Sequence, residues 1–256
     1  MESTPLEKAM PWLFVFGVLI VWELVCVAFS IPAFILPSPH AVGASVVQWI
    51  KPILDNAWST LVSTLLGFLL AVALGVVLGA AIGASRLIYR GLFPVLVGFN
   101  SVPKVAVVPV FVIWFGAGTV PAVLTAFMVS FFPIAVNVAT GLATVEPELL
   151  DVLRALGASR KDILLKVGLP RALPYFFASL KVAVTLAFVG AIIAETVAGK
   201  SGIGYLMMAA TSNFDTALVF AGLAITGVMG IIMYALFAVI ERRTTPWAQR
   251  DGGMLS

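Results

Sequence analysis

Cysteine and histidine are nearly missing, with one of each, Cys26 and His40, in 256 residues. A disulfide within the chain needs a second thiol, and a metal centre built from His and Cys needs several ligands, so both are excluded. Charge is scarce too. Asp, Glu, Lys and Arg make up 11% of the residues, against about 25% in ordinary soluble domains, while the apolar set reaches 61%. That balance is incompatible with a water-soluble globule. An intramembrane enzyme would need a nucleophile, base or ligands clustered inside apolar segments, and no such constellation is present.

What the chain does have is long apolar runs. Six windows, residues 12–31, 58–84, 92–115, 120–143, 173–197 and 216–240, carry almost no charge, and each is long enough to cross a hydrocarbon core of about 30 Å. Segments of about 10 residues with alternating polarity, the mark of a membrane barrel, are not seen. The fold class is therefore an all-α polytopic membrane protein with six transmembrane helices, read as one domain over residues 1–256. Lys8, Arg86, Arg90, Arg154, Arg160, Lys161, Lys166, Arg171, Arg242, Arg243 and Arg250 fall on one side of these spans, and Lys51 and Lys200 on the other. Positive loops are retained in the cytoplasm, which places both termini and the long polar interval 144–172 inside the cell. The rival reading of the first window is a cleaved signal peptide, with Ala28 and Ser30 as the small residues before the cut, but its apolar stretch is longer than a usual h-region.

In the second window Gly67, Ala71, Gly75, Gly79 and Gly83 recur every four residues, which lays a small-residue ridge on one helix face and invites a close neighbour. The chain has 22 glycines in all, so an incidental stripe is the alternative. Pro103 and Pro109 interrupt the third window, and each removes a backbone donor and favours a kink. Irregular backbone at membrane depth must be buried or line a watery cavity, so this segment is a candidate pathway wall.

From Glu146 to Leu173 the sequence reads as two short amphipathic helices. Leu149, Leu150, Leu153 and Leu156 lie at helical spacing, followed after a break by Ile163, Leu164 and Val167. Gly157 is placed to end the first helix, Ser159 to cap the second and Pro170 to stop it. A solvated loop or a membrane-surface element would read similarly. The spacing Asp151-Val152-Leu153, Gly157, Val167-Gly168-Leu169-Pro170 resembles the cytoplasmic EAA loop of ABC importer permeases, with the Glu-Ala-Ala triplet replaced. Val102-Pro103 through Trp114-Phe115-Gly116, Phe131-Phe132-Pro133 with Asn137, Ala194-Glu195 and Gly202-Ile203-Gly204-Tyr205 are similar to the nitrate, sulfonate and taurine branch.

The resemblance implies a hairpin seated in an ATP-binding subunit, with Leu153, Leu156, Gly157, Ala158 and Ile163 in the packed joint, Arg154 and Arg160 at its rim, and Ser159, Leu169 and Pro170 within the same loop. It also implies two ATPase subunits carrying ATP and Mg, a second permease copy, a periplasmic or lipid-anchored substrate-binding protein, membrane lipid around the spans, and a place in the bacterial inner membrane. This chain itself is expected to hold no cofactor and no nucleic acid. In the same reading Glu195, Gly202 and Gly204 are gate or structural positions near the outer face.

Residues 194–201, Ala-Glu-Thr-Val-Ala-Gly-Lys-Ser, satisfy the loose form of a phosphate-binding loop. The chemistry requires a strand before and a helix after, whereas an apolar helix precedes this stretch, so it is rejected. Isolated charges at membrane depth should face protein, water or an interface. Glu23 is expected to pair with Lys181 or Lys104, Lys181 alternatively to snorkel, and Lys104 to favour an anion in transit. Asn137 is divided between interhelical hydrogen bonding and lining the pathway. The competing function is a self-contained ion-coupled carrier or channel, which inverted repeats and paired broken helices would support.

Overall fold

The computed structural model describes residues 5–143, 152–153 and 155–247. Helices α1 (Pro5–Ala28), α3 (Ile50–Ala84), α6 (Thr119–Ala143), α8 (Leu169–Ala198) and α10 (Thr216–Thr244) each contain a stretch long and apolar enough to cross a membrane. The apolar pair α4 (Arg86–Ser101) and α5 (Lys104–Phe115) meets at 88°, the geometry of a broken span or a re-entrant loop. Two apolar helices, α2 (Pro39–Gln48) and α9 (Ile203–Ser212), are too short to span. The single turn α7 (Arg160–Ile163) passes into a π-helical run, Leu164–Gly168, that leads directly into α8. No strand occurs among the described residues. Lipid offers backbone groups no hydrogen-bond partner, and a helix satisfies them within its own segment.

The core lies where α6 packs between α3 and α8. Ile134 and Ala135 of α6 and Ala183, Val184, Ala187 and Ala191 of α8 are fully covered. The glycine ridge of α3 faces α6 directly. A Cβ at Gly67 would lie 2.5 Å from the Val123 carbonyl oxygen, one at Gly75 2.9 Å from Ile134 Cβ, one at Gly79 2.6 Å from the Ala135 carbonyl oxygen, and one at Gly83 2.9 Å from Leu142 Cβ. On the opposite side of α6, a Cβ at Gly190 of α8 would lie 2.8 Å from the Thr125 carbonyl oxygen. Both contacts are backbone against backbone, which is how apolar helices gain dispersion energy when lipid competes for their side chains. By contrast α1 is almost wholly exposed.

Several expectations are corrected here. The window 92–115 is not one span. The chain breaks at Val102-Pro103, because Pro103 has no N–H to continue α4 and sits instead as the N-cap of α5. Pro109 is accommodated inside α5. The segment before the fifth crossing does not stop at Pro170. Gly168 keeps helical dihedrals, and Pro170 falls in the first turn of α8, where a missing N–H costs nothing. Glu23 pairs with neither lysine, since its Oε2 accepts the backbone N–H of His40 at 3.1 Å. Lys181 is bonded to Glu241 at 2.6 Å, with its ammonium 5.9 Å from the Tyr234 ring centroid. Lys104 turns back on Asn100, bonding its backbone oxygen and, at 3.0 Å, its Oδ1.

The ridge contact generates a stability prediction. Gly79→Leu drives a branched side chain into the α6 backbone, and overpacking of this kind costs about 1–3 kcal/mol or more. A melting temperature several degrees below wild type is expected in detergent, measured by tryptophan fluorescence. Gly17→Leu, where an added Cβ meets nothing within 4 Å, should leave it unchanged.

Candidate functional site

Helix α8 carries a functional candidate at each end. At the near end the hairpin closes on Gly157, whose φ of +80° is the left-handed conformation that glycine adopts without strain. The Ala158 N–H donates to the Leu153 carbonyl at 3.0 Å, the six-to-one bond of a Schellman cap. The next turn begins at Ser159, whose Oγ accepts the Asp162 N–H at 3.1 Å and donates to the Asp162 carboxylate at 2.5 Å. Lys166 bonds the same carboxylate at 2.8 Å. That ammonium, with Ser159 beside it, holds the Asp162 carboxyl below its ordinary range.

Leu153, Leu156, Gly157, Ala158, Ile163 and Val167 then line a shallow open cleft of about 270 Å³, edged by Asp162 and Lys166. Leu156 is 78% exposed, and Val152, Leu165 and Leu169 are also exposed, so the hairpin presents apolar side chains that nothing among the described residues covers. Arg160 opens α7 and Pro170 lies in the first turn of α8. Arg154 lies outside the described residues, as do residues 144–151.

The far end is a polar knot. Glu195 is 3% exposed, and its Oε2 accepts from Thr60 Oγ1 at 2.8 Å and from the Gly204 N–H at 3.0 Å. Thr60 Oγ1 in turn accepts the Ile203 N–H at 2.8 Å, and Asn56 Oδ1 accepts the Gly202 N–H at 2.8 Å. Ser59 and Ser201 hydroxyls meet at 2.7 Å. Gly202 has φ +105°, and a Cβ there would strike the Glu195 carboxylate; one at Gly204 would lie 2.6 Å from the Ile192 carbonyl oxygen. The sequence had singled out Glu195, Gly202 and Gly204, but Asn56, Ser59, Thr60 and Ser201 were missed. Their signal was the polar run at the N-terminal end of the second window, Asp55-Asn56 to Ser59-Thr60.

The remaining pathway candidates are scattered. Pro103, Lys104 and Pro109 lie at or beyond the α4–α5 break, and Pro103 and Pro109 are exposed. Asn137 bonds within its own helix, donating from Nδ2 to the Pro133 carbonyl at 2.8 Å, so the interhelical role is not what the geometry shows. The would-be phosphate loop is the last turn of α8 followed by the knot: the Gly199 N–H is taken by the Glu195 carbonyl at 2.9 Å and the Gly202 N–H by Asn56.

Residues 71–246 match the model of the binding-protein-dependent transport system inner membrane component family. The chain is 37% identical over 231 residues to the riboflavin transport system permease protein RibX of Chloroflexus aurantiacus, covering 90% of this chain and 86% of that one. It is 28% identical over 242 residues to the formylaminopyrimidine transport permease protein ThiX of Halalkalibacterium halodurans, covering 94% and 96%. With the taurine transport system permease protein TauC of Escherichia coli it shares 30% over 159 residues, 62% of this chain and 58% of that one. Among solved structures, an inward-facing form of the MetNI methionine ABC transporter superposes with a TM-score of 0.68 at 18% identity, covering 77% of this chain and 97% of that one; this likeness shows a shared fold.

Gly202→Ala meets both a left-handed backbone and the Glu195 carboxylate. Backbone strain of this kind is of order 1–3 kcal/mol. Expected is a clear drop in detergent melting temperature, while Gly43→Ala, in open space on α2, leaves it in place.

Proposed function

The chain belongs to the binding-protein-dependent transport system inner membrane component family, and from that membership we propose that it moves a small anion, of the sulfonate, taurine or nitrate kind, into the cytoplasm. It is a multi-pass membrane permease of the ABC importer type and not an enzyme. The proposal extends to its surroundings: the bacterial inner membrane, both termini cytoplasmic, a second copy across a two-fold axis, two ATP-binding subunits that hold ATP and Mg, and a binding protein on the outer face that delivers the solute.

The observation that carries the reading is the hairpin. An apolar surface that includes Leu156 and Leu169 stands uncovered at the base of α8, and a partner's groove is what covers such a surface in an importer. The hairpin runs through a π-helical stretch into α8 without interruption, so a push on it is delivered to a crossing that packs directly against α6 at the core. Nucleotide-driven closure of the ATPase pair then rocks α8 against α3 and α6, alternating access to the two sides. In this scheme the α4–α5 break and Asn137 flank the pathway, and Glu195, Gly202 and Gly204 belong to its outer gate.

Two solute classes compete. Lys104, at the break, bonds only the neutral Asn100 among the described residues, so its positive charge is not cancelled by a bonded carboxylate and favours an anion. A neutral heterocycle is favoured by the higher identity to the riboflavin relative, 37% against 30% for the taurine one. Liposomes holding the permease, ATPase subunits and internal ATP, with the cognate binding protein outside, separate them: labelled taurine should enter and labelled riboflavin should not, and the reverse overturns the anion assignment.

The docking role yields its own prediction. Gly157 faces open space, so Gly157→Trp obstructs whatever seats on the cleft and strains the cap, whereas Gly157→Asn tolerates the left-handed backbone. Co-purification of the ATPase subunit should fall at least ten-fold for Gly157→Trp and stay near wild type for Gly157→Asn. Equal retention in both removes the hairpin from the joint.

A further inference from the structure

Helix α9 has no N-cap side chain of its own, since Gly202 occupies that position. Its leading backbone donors are satisfied from elsewhere: Gly202 N–H by Asn56 and Ile203 N–H by Thr60, both on α3, and Gly204 N–H by Glu195 on α8. Capping a helix from two other helices is a strong constraint, because unmet donors at a helix start must find partners. It also makes the start of α9 a three-way junction. Beyond this turn α9 is held by apolar packing of Ile203 and Ala210 with Ile53 of α3 and with Leu218 and Ala221 of α10.

Two features mark the junction as separable. Each of its bonds uses a side chain of α3 or α8, so they can be exchanged for water without unwinding either helix. It is also incomplete: Glu195 Oε1 is buried and has no hydrogen-bond partner. A buried acceptor left unpaired weakens the state that contains it, and a two-state element requires two arrangements of similar stability. The carboxylate and the docking hairpin lie on one uninterrupted helical path, about 39 Å apart for the 26 residues from Leu169 to Glu195 at the rise of an α-helix.

We infer that Asn56, Thr60 and Glu195 form a latch that pins α9 to α3 in this state and must release in every transport cycle. They are positioning residues: none is required to touch the solute, and they act by setting where α9 stands. Movement of α8 shifts Glu195 away from Thr60 and Gly204 together, so one displacement frees the Gly204 N–H of α9 and releases the Thr60 hydroxyl that holds Ile203. This rests on the importer reading, in which α8 is the element driven from the hairpin.

The Ser59–Ser201 hydroxyl contact offers a direct test, because it lies at the exposed edge of the latch and is not part of it. Ser59→Cys with Ser201→Cys, in a Cys26→Ala background, should form a disulfide on oxidation. The complex with its ATPase subunits is placed in nanodiscs and Mg-ATP hydrolysis is followed. Oxidation should lower the rate at least ten-fold and dithiothreitol should restore it. A fully formed disulfide with a rate within two-fold of the reduced protein overturns the latch, and so does failure of the two cysteines to pair. The reduced protein tests the premise separately: if it neither assembles with the ATPase nor supports hydrolysis, the importer reading itself fails and the latch as a gate falls with it. In a second arm, Glu195→Ala and Thr60→Val should raise hydrolysis several-fold in the absence of binding protein. Glu195→Gln, which keeps an acceptor oxygen, should stay near wild type; identical behaviour of the Ala and Gln variants overturns the proposal.

Discussion

The structure depends on how closely α6 is approached from both sides. With Gly67, Gly75, Gly79 and Gly83 on one neighbour and Gly190 on the other, the three helices come near enough for backbone atoms to touch. In lipid there is no hydrophobic driving force between helices, and close packing of small residues provides the main cohesion. Large side chains would hold the helices apart and leave them exchanging contacts with lipid. The same contact makes α8 a rigid member, buried over half of its spanning stretch, and a rigid member can carry displacement from one end to the other.

Around this core, polar groups are handled in two ways. Inside α6, Thr125 and Ser130 donate to carbonyls of their own helix, so they add nothing to the links between helices. At the C-terminal end of α8, Asn56, Thr60 and Glu195 bond across helices and close a short helix that does not cap itself. Lys181 and Glu241 tie α8 to α10 nearer the other end. Polar links between the crossings are thus made at the C-terminal end of α8 and again at Lys181, with apolar packing between them.

The family relationship and the geometry meet at the hairpin. A Schellman cap at Gly157 and a Ser159 cap two residues later make the turn compact without any help from a core of its own. Its apolar residues are therefore free to serve a surface outside the chain. The π-helical run that follows leads from α7 into α8 without a break in the backbone, which keeps the hairpin and α8 one mechanical piece.

Much was legible from one dimension. Apolar run length set the membrane class and five of the six expected crossings, because a hydrocarbon slab has a fixed thickness. The four-residue glycine period announced a close helix contact, and the Gly157 and Ser159 signals marked the hairpin, because caps and turns are governed by residues adjacent in the chain. Contacts between distant residues were decided only by the tertiary structure. Glu23 finds a backbone N–H on α2 instead of a lysine, Lys181 finds Glu241, and Asn56 and Thr60 meet Gly202 and Ile203 across more than 140 residues. The 88° break at Val102-Pro103 belongs with them. Pro103 marks where α4 ends, but the direction taken afterwards depends on which surface the next segment packs against, and that information is not local.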